Sequence, residues 1–148
     1  MNSSWEQHFM RLAEETAQRS KDPNTKVGAC IVKDKTVLSL GYNGAPRDFP
    51  DHILPQGHSE DLAQDKNTYM CHAELNAILN YGGSLKDLKG ASIYITLHPC
   101  HQCVIALMQV GIKDIIYRDL YHQEKIIDIA QFIAQKCGAQ IRQIEEVK

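Results

Sequence analysis

The sequence predicts an α/β protein, a three-layer α/β/α sandwich around a five-stranded mixed sheet with elements in the order αββαβαβαβ. Three observations predict it. Over roughly the last hundred residues, short branched-apolar runs alternate with helical periodicity, which implies parallel strands joined by right-handed crossovers with helices on both faces. Near the start, two apolar runs flank Asp34-Lys35, the pattern of an antiparallel hairpin. The length of 148 residues, 43% of them hydrophobic, suits one compact domain over 1–148 with a substantial core.

Taken in order, Ser3 followed by Glu6 matches a capping box, and Trp5, Phe9, Leu12, Ala13 and Ala17 recur on one helical face, so a first helix is expected over about 4–20. Val27 to Val32 and Thr36 to Tyr42 are the hairpin strands. From Asn43 to Tyr69 prolines at 46, 50 and 55, glycines at 44 and 57 and many charges show no sustained period; a loop this long is usually functional or mobile. A helix over 71–81 stops at Gly82-Gly83, Ala91 to Leu97 reads as a buried strand, and a helix over 100–110 stops at Gly111. Ile112 to Tyr117 is a strand, Gln123 to Lys136 a helix with Ile126, Ile129, Ala130 and Ile133 inward, and Ala139 to Ile144 the last strand. There are no internal repeats and no low-complexity tracts.

Two segments carry the chemistry, Cys71-His72-Ala73-Glu74 and Pro99-Cys100-His101-Gln102-Cys103. They offer three zinc ligands, His72, Cys100 and Cys103, and one unattached carboxylate, Glu74. Structural zinc is usually closed by four protein ligands, whereas catalytic zinc keeps three and leaves a position for water or substrate. Zinc brings the pKa of a bound water from 15.7 to about 7, but a base must still carry its proton, and Glu74 is placed to do so. Cysteines three apart at a helix start lie on one face, and Pro99 suits that start. His72 and Glu74 are two apart, yet side chains tilt toward a helix N-terminus, so both reach beyond its first turn. The metal is therefore expected off the ends of two helices, whose dipoles and free N–H groups favour thiolates.

Cys-x-x-Cys alone also fits a redox dithiol, a zinc knuckle or two buried thiols. The upstream His-x-Glu completes the H-x-E … P-C-x-x-C signature of zinc deaminases. A redox motif leaves His72 and Glu74 idle; a structural zinc needs a fourth ligand, for which Cys71, His98 and His101 are the nearest candidates. His98 and His101 otherwise read as exposed histidines beside the site, and Cys30 and Cys137 as buried thiols.

A net charge of −2 gives no excess of cations for a long phosphate backbone, which counts against a general polynucleotide binder. No run approaches the roughly 18 apolar residues of a membrane span, and no basic patch with a hydrophobic stretch opens the chain, so a cytoplasmic protein without membrane attachment is expected. Five cysteines, two of them committed to metal, show no disulfide framework, as in a reducing compartment.

Much of the chain resembles the deoxycytidylate (dCMP) deaminase family, within the zinc-dependent cytidine and deoxycytidylate deaminase superfamily. The segments that carry the resemblance are Arg19-Ser-Lys-Asp-Pro-Asn-Thr-Lys-Val-Gly-Ala-Cys-Ile-Val32, Gly41-Tyr-Asn-Gly-Ala-Pro46, Cys71-His-Ala-Glu-Leu-Asn-Ala-Ile78, Pro99-x-x-x-Cys103, Gly111-Ile112 and Tyr121-His122. The zinc pattern is superfamily-wide; the first two segments belong more narrowly to this branch. The chain departs from the family at His98, where an aromatic is usual, and at His101-Gln102, where Asn-Glu is usual; every ligand is kept, and the pocket rim is what changes.

The resemblance implies a cytidine deaminase-like fold and hydrolysis of dCMP to dUMP and ammonia, supplying dUMP for thymidylate synthesis, with zinc on His72, Cys100 and Cys103 and Glu74 as the proton carrier. Ser20, Lys21, Asn24 and Tyr121 become candidates for the 5′-phosphate, although Ser20 to Asn24 also fits a capped helix end before a Pro23 turn. Asn43 stands at a strand end beside Gly44, where its amide can hold a sugar; Asn-Gly is equally a favoured turn pair. Activation by dCTP, inhibition by dTTP with Mg2+, an effector loop of Tyr42, Asn43, Gly44 and Arg47, and a homohexamer are further implications, with Arg47 also readable as a solvated loop residue. Two other readings stay open, a deaminase of another cytosine or adenine substrate (dCTP, cytidine, or adenosine in RNA) and a non-catalytic structural-zinc interaction module.

Overall fold

A computed structural model of the chain describes residues 3–145, with side chains described from Trp5. The elements are α1 (Ser3–Ala17), β1 (Gly28–Lys33), β2 (Thr36–Tyr42), α2 (Ala73–Asn80), β3 (Ser92–Leu97), α3 (His101–Val110), β4 (Asp114–Asp119), α4 (Glu124–Lys136) and β5 (Gln140–Gln143), the order expected from sequence. They form one mixed sheet in the strand order β2-β1-β3-β4-β5. β1 runs antiparallel to β2 and to β3, while β3, β4 and β5 are parallel. Asp34 and Lys35 both take positive φ, 52° and 62°, as a two-residue hairpin loop requires when its twist must match that of the strands.

β1, β3 and β4 read as continuous apolar runs because both their faces are covered. Alternation divides them. Ala29, Ile31, Ile93, Ile95, Ile115 and Ile141 pack under α2, α3 and α4, with Ala77, Val104, Leu107, Ala130 and Ala134 above them. Cys30, Val32, Tyr94 and Ile116 point the other way and pack under α1, on Phe9, Met10 and Ala13. The result is a three-layer sandwich with one helix on one face and three on the other.

Two glycines set how closely the helices sit. A Cβ on Gly28 would collide with the backbone oxygen of Ala13 in α1, and one on Gly41 with the backbone of Ala73 and Ala77 in α2. Side chains finish the second contact: Ser39 Oγ donates to Ala77 O at 2.6 Å, and the amides of Asn76 and Asn80 donate to Tyr42 O and Leu40 O at 2.7 and 2.9 Å. α2 is thereby fixed to β2, and its first turn to the sheet.

Some expectations shift. α1 ends at Ala17 rather than about residue 20, because Gln18, Arg19 and Ser20 turn back onto the carbonyls three residues before them and Ser20 leaves to bond Asn43. The capping box expected at Ser3 lies on a side chain outside the described residues. Trp5 stands at the rim of its helical face, 46% exposed, stacked on Phe9 and covered by the Lys35 ammonium. Ile129 is exposed although Ala130 and Ala134 are buried, since the inward stripe of α4 is narrow. Cys137, expected inside, is exposed: it is the C-cap of α4, one turn past the last buried residue. The long loop keeps no extended element of its own, but folds three short 3₁₀ turns and returns beside its start, where Gly44 and Cys71 form an isolated antiparallel bridge.

Candidate metal centre

His72 is the N-cap of α2 and Cys100 the N-cap of α3, each with extended backbone. Cys100 is delivered by β3 through the short link His98-Pro99, and Cys103 sits one turn into α3. His72 Nδ1 lies 3.4 Å from Cys100 Sγ and 3.3 Å from Cys103 Sγ. The three ligand atoms all fall within 4.8 Å of one another. A tetrahedral zinc, bonded to nitrogen at about 2.0–2.1 Å and to sulfur at about 2.3 Å, spaces such atoms roughly 3.5 Å apart. The residues present therefore fit the ion, with Nδ1 as the histidine donor. Among the described residues Cys71, His98 and His101 do not join the group, so the fourth ligand that a structural site needs is missing from it.

The electrostatics suit a cation. Cys100 is pulled down to about 4, first by its hydrogen bond with Cys103 and then, against burial, by His72. Cys103 is pushed up by the same bond and by burial. The two sulfurs thus share one proton, which an arriving metal displaces, since a coordinating thiol is deprotonated. His72 is raised, chiefly through its hydrogen bond to Cys100. Glu74, in the first turn of α2, is buried; burial raises its carboxyl above the usual carboxylate range against the opposing pull of His72. A carboxyl so held is more readily protonated than an exposed one, as a proton carrier needs.

His98 is not the exposed residue expected from the sequence. It is 2% exposed, stacked edge-on against Tyr117 at 4.7 Å, with Nδ1 at 2.9 Å from Pro99 O and Nε2 at 3.1 Å from the Gln131 amide. Burial lowers its pKa, so it is a neutral strut that ties the link before Cys100 to α4. Gln131 lies 33 residues away in the chain, which is why nothing near His98 signals it. Tyr121 is 6.3 Å from His98, and its enclosed hydroxyl has no partner among the described residues; burial first, and then the charges of Cys100, Glu74 and Cys103, push it up to about 12.

The remaining candidates divide. Ser20 and Asn43 are buried together, Ser20 Oγ donating to Asn43 O at 2.9 Å. Val27 N donates to Asn43 Oδ1, while Asn43 Nδ2 donates to Thr25 O and, at 3.4 Å, toward Asp22. With both its N–H groups turned inward, this amide offers a ligand mainly its remaining oxygen lone pair, so it would accept from a hydroxyl. Lys21 is exposed and pairs with Asp51 at 2.8 Å; Asn24, Tyr42 and Arg47 are exposed, and Gly44 is half-buried in its bridge to Cys71. Sequence reading overlooked Asp22 and Lys66, an ion pair at the centre of this cluster.

In zinc-loaded protein Cys137 is expected to react fast with a thiol reagent and Cys71 slowly, while Cys30, whose thiol burial raises to about 12, waits for unfolding. Chelation should add Cys100 to the fast class, because it is then an accessible thiolate. A fast-thiol count that chelation leaves unchanged would remove the two sulfurs from the ligand set.

Residues 3–119 match the family model described as the cytidine and deoxycytidylate deaminase zinc-binding region. The chain is 41% identical over 141 residues to a deoxycytidylate deaminase of Homo sapiens, covering 93% of this chain and 78% of that protein. It is 36% identical over 146 residues to ComE operon protein 2 of Bacillus subtilis, covering 96% and 72%. Its fold resembles the crystal structure of a dCMP deaminase from the cyanophage S-TIM5 in complex with dCMP and dUMP, with a TM-score of 0.76, 28% identity and coverage of 97% and 98%. No helix among the described residues is long and apolar enough to cross a membrane.

Proposed function

We infer the reaction from the family to which this chain belongs, the zinc-binding cytidine and deoxycytidylate deaminases: it is an enzyme that hydrolyses dCMP to dUMP and ammonia. The observation that carries the reading is the 41% identity over nearly the whole chain to a deoxycytidylate deaminase, together with three metal donors and one buried carboxylate gathered at two helix starts.

His72, Cys100 and Cys103 would hold zinc, whose Lewis acidity would bring the pKa of a water at the site from 15.7 to about 7. Glu74 would accept one proton of the water and deliver it to the ring nitrogen of the pyrimidine, then take the second from the new hydroxyl on the ring carbon and pass it to the departing amine. One water is consumed, its oxygen ends on the ring carbon, and ammonia leaves. The phosphate is assigned to Ser20, Lys21, Asn24 and Tyr121, of which Tyr121 brings a hydroxyl without a partner among the described residues and Lys21 an exposed cation. Asn43 accepts from the sugar. The loop Tyr42, Asn43, Gly44 and Arg47 is assigned to a triphosphate effector, dCTP as activator or dTTP with Mg2+ as inhibitor, supported by the resemblance and by the exposure of Tyr42 and Arg47. A homohexamer and a cytoplasmic location complete the reading on the same resemblance.

The test is loss of cytosine absorbance with dCMP, deoxycytidine and dCTP in parallel, each with and without dTTP plus Mg2+. Turnover of dCMP in strong preference to deoxycytidine is expected, with suppression by dTTP. Folded, zinc-replete protein that leaves dCMP unchanged sinks the substrate assignment, and turnover that dTTP leaves untouched sinks the effector assignment alone.

A further inference from the structure

We propose that Lys66 is a positioning residue for substrate, acting through Asp22 as a buried clasp that holds the 20–25 segment and Asn43 in their binding shape. The inference rests on the nucleotide reading above. Lys66 lies in the long loop, in a stretch so polar that solvent exposure is the ordinary expectation, yet its side chain is 3% exposed and its ammonium lies 2.8 Å from Asp22 Oδ1, itself 4% exposed. A lysine is almost never this buried unless something specific pairs with it. The backbone around it is also tied down: Lys66 N donates to Gly57 O at 2.9 Å, and Tyr69 N to Lys66 O at 3.1 Å.

Asp22 Oδ1 also accepts from Asn24 N at 2.8 Å and Thr25 N at 3.1 Å, while Asp22 Oδ2 faces the Asn43 amide at 3.4 Å. Asp22 N donates to Ser20 Oγ, and Ser20 Oγ donates to Asn43 O. Burial alone would raise this carboxyl, but Lys66 and the two backbone N–H groups outweigh it and hold Asp22 below its ordinary value. Bonds from Asn24 N, Thr25 N and the Asn43 amide therefore converge on one carboxylate, whose charge Lys66 balances. Without Lys66 the carboxylate must find water or a proton, and the turn that carries Ser20, Lys21 and Asn24 opens. The partners lie 44 residues apart, so the clasp also joins the long loop to the edge of the site.

The experiment compares wild type, Lys66→Met and the charge-neutral pair Asp22→Asn/Lys66→Met, which leaves no unpaired buried charge and guards against simple unfolding. Bound zinc and cooperative thermal unfolding identify folded protein, and KM and kcat for dCMP are read on zinc-replete enzyme. Expected is a KM raised at least tenfold in the pair variant, with kcat per bound zinc within about threefold of wild type. A purely structural role lowers the folded fraction, and with it apparent kcat, while leaving KM alone; an unchanged KM in either variant overturns the proposal. So does loss of turnover from the folded, zinc-replete pair variant, which would place Lys66 in the chemistry instead. Wild type that fails on dCMP refutes the substrate assignment, a different result from wild type that turns over dCMP beside a pair variant of unaltered KM.

Discussion

Glu74→Gln is expected to lower kcat for dCMP by about 10²–10⁴-fold while zinc content and thermal stability stay near wild type. The substitution keeps the shape of the side chain and its place in the first turn of α2, so His72 at the N-cap is undisturbed. What it removes is the ability to accept and return a proton. Glutamine is also neutral, and burial already disfavours the charged carboxylate there. The measurement is single-turnover deamination alongside metal analysis. A variant that retains more than about a tenth of wild-type kcat would show that another group carries the proton. One that loses zinc would show that Glu74 supports the metal site.

The parts of the site that were legible in the sequence are those whose chemistry is written over a few positions. His72 and Glu74 are two apart, and Cys100 and Cys103 three apart, so local helix geometry alone fixes which way they reach. The hairpin was legible for the same reason, since Asp34 and Lys35 are adjacent and must both adopt positive φ. What escaped depends on partners remote in the chain. His98 looks like any polar residue beside a motif until Gln131 and Tyr117 enclose it. Lys66 sits among residues that would leave a lysine in water, and only the returning loop brings it to Asp22. Element ends were misjudged where a side chain outcompetes the helix: Ser20 leaves α1 because its hydroxyl is needed by Asn43. Periodicity placed Ile129 inside, but it gives the direction of a face and not its width; an apolar neighbourhood placed Cys137 inside, although it caps the end of α4.

A second large effect is expected from Gly41→Val, with Gly28→Val as its counterpart on the opposite face. At either glycine a side chain would meet helix backbone and not a side chain that can swing aside, so the helix itself must move. Overpacking of this kind costs about 1–3 kcal/mol, and more where the backbone cannot yield. The two substitutions should therefore destabilise to a comparable degree, read as a fall in the midpoint of thermal unfolding. Their effect on metal should differ. Gly41 supports α2, whose N-cap is His72 and whose first turn holds Glu74, so lifting α2 from β2 pulls one ligand away from the two that β3 and α3 hold. Gly28 supports α1, which carries no ligand of the centre and packs on the other side of the sheet. Competition with a chromophoric chelator should accordingly show zinc affinity reduced at least tenfold in Gly41→Val and nearly unchanged in Gly28→Val. Equal losses in both would mean that the centre responds to global stability alone. Unchanged affinity in Gly41→Val would mean that His72 follows the ion more readily than it follows its helix.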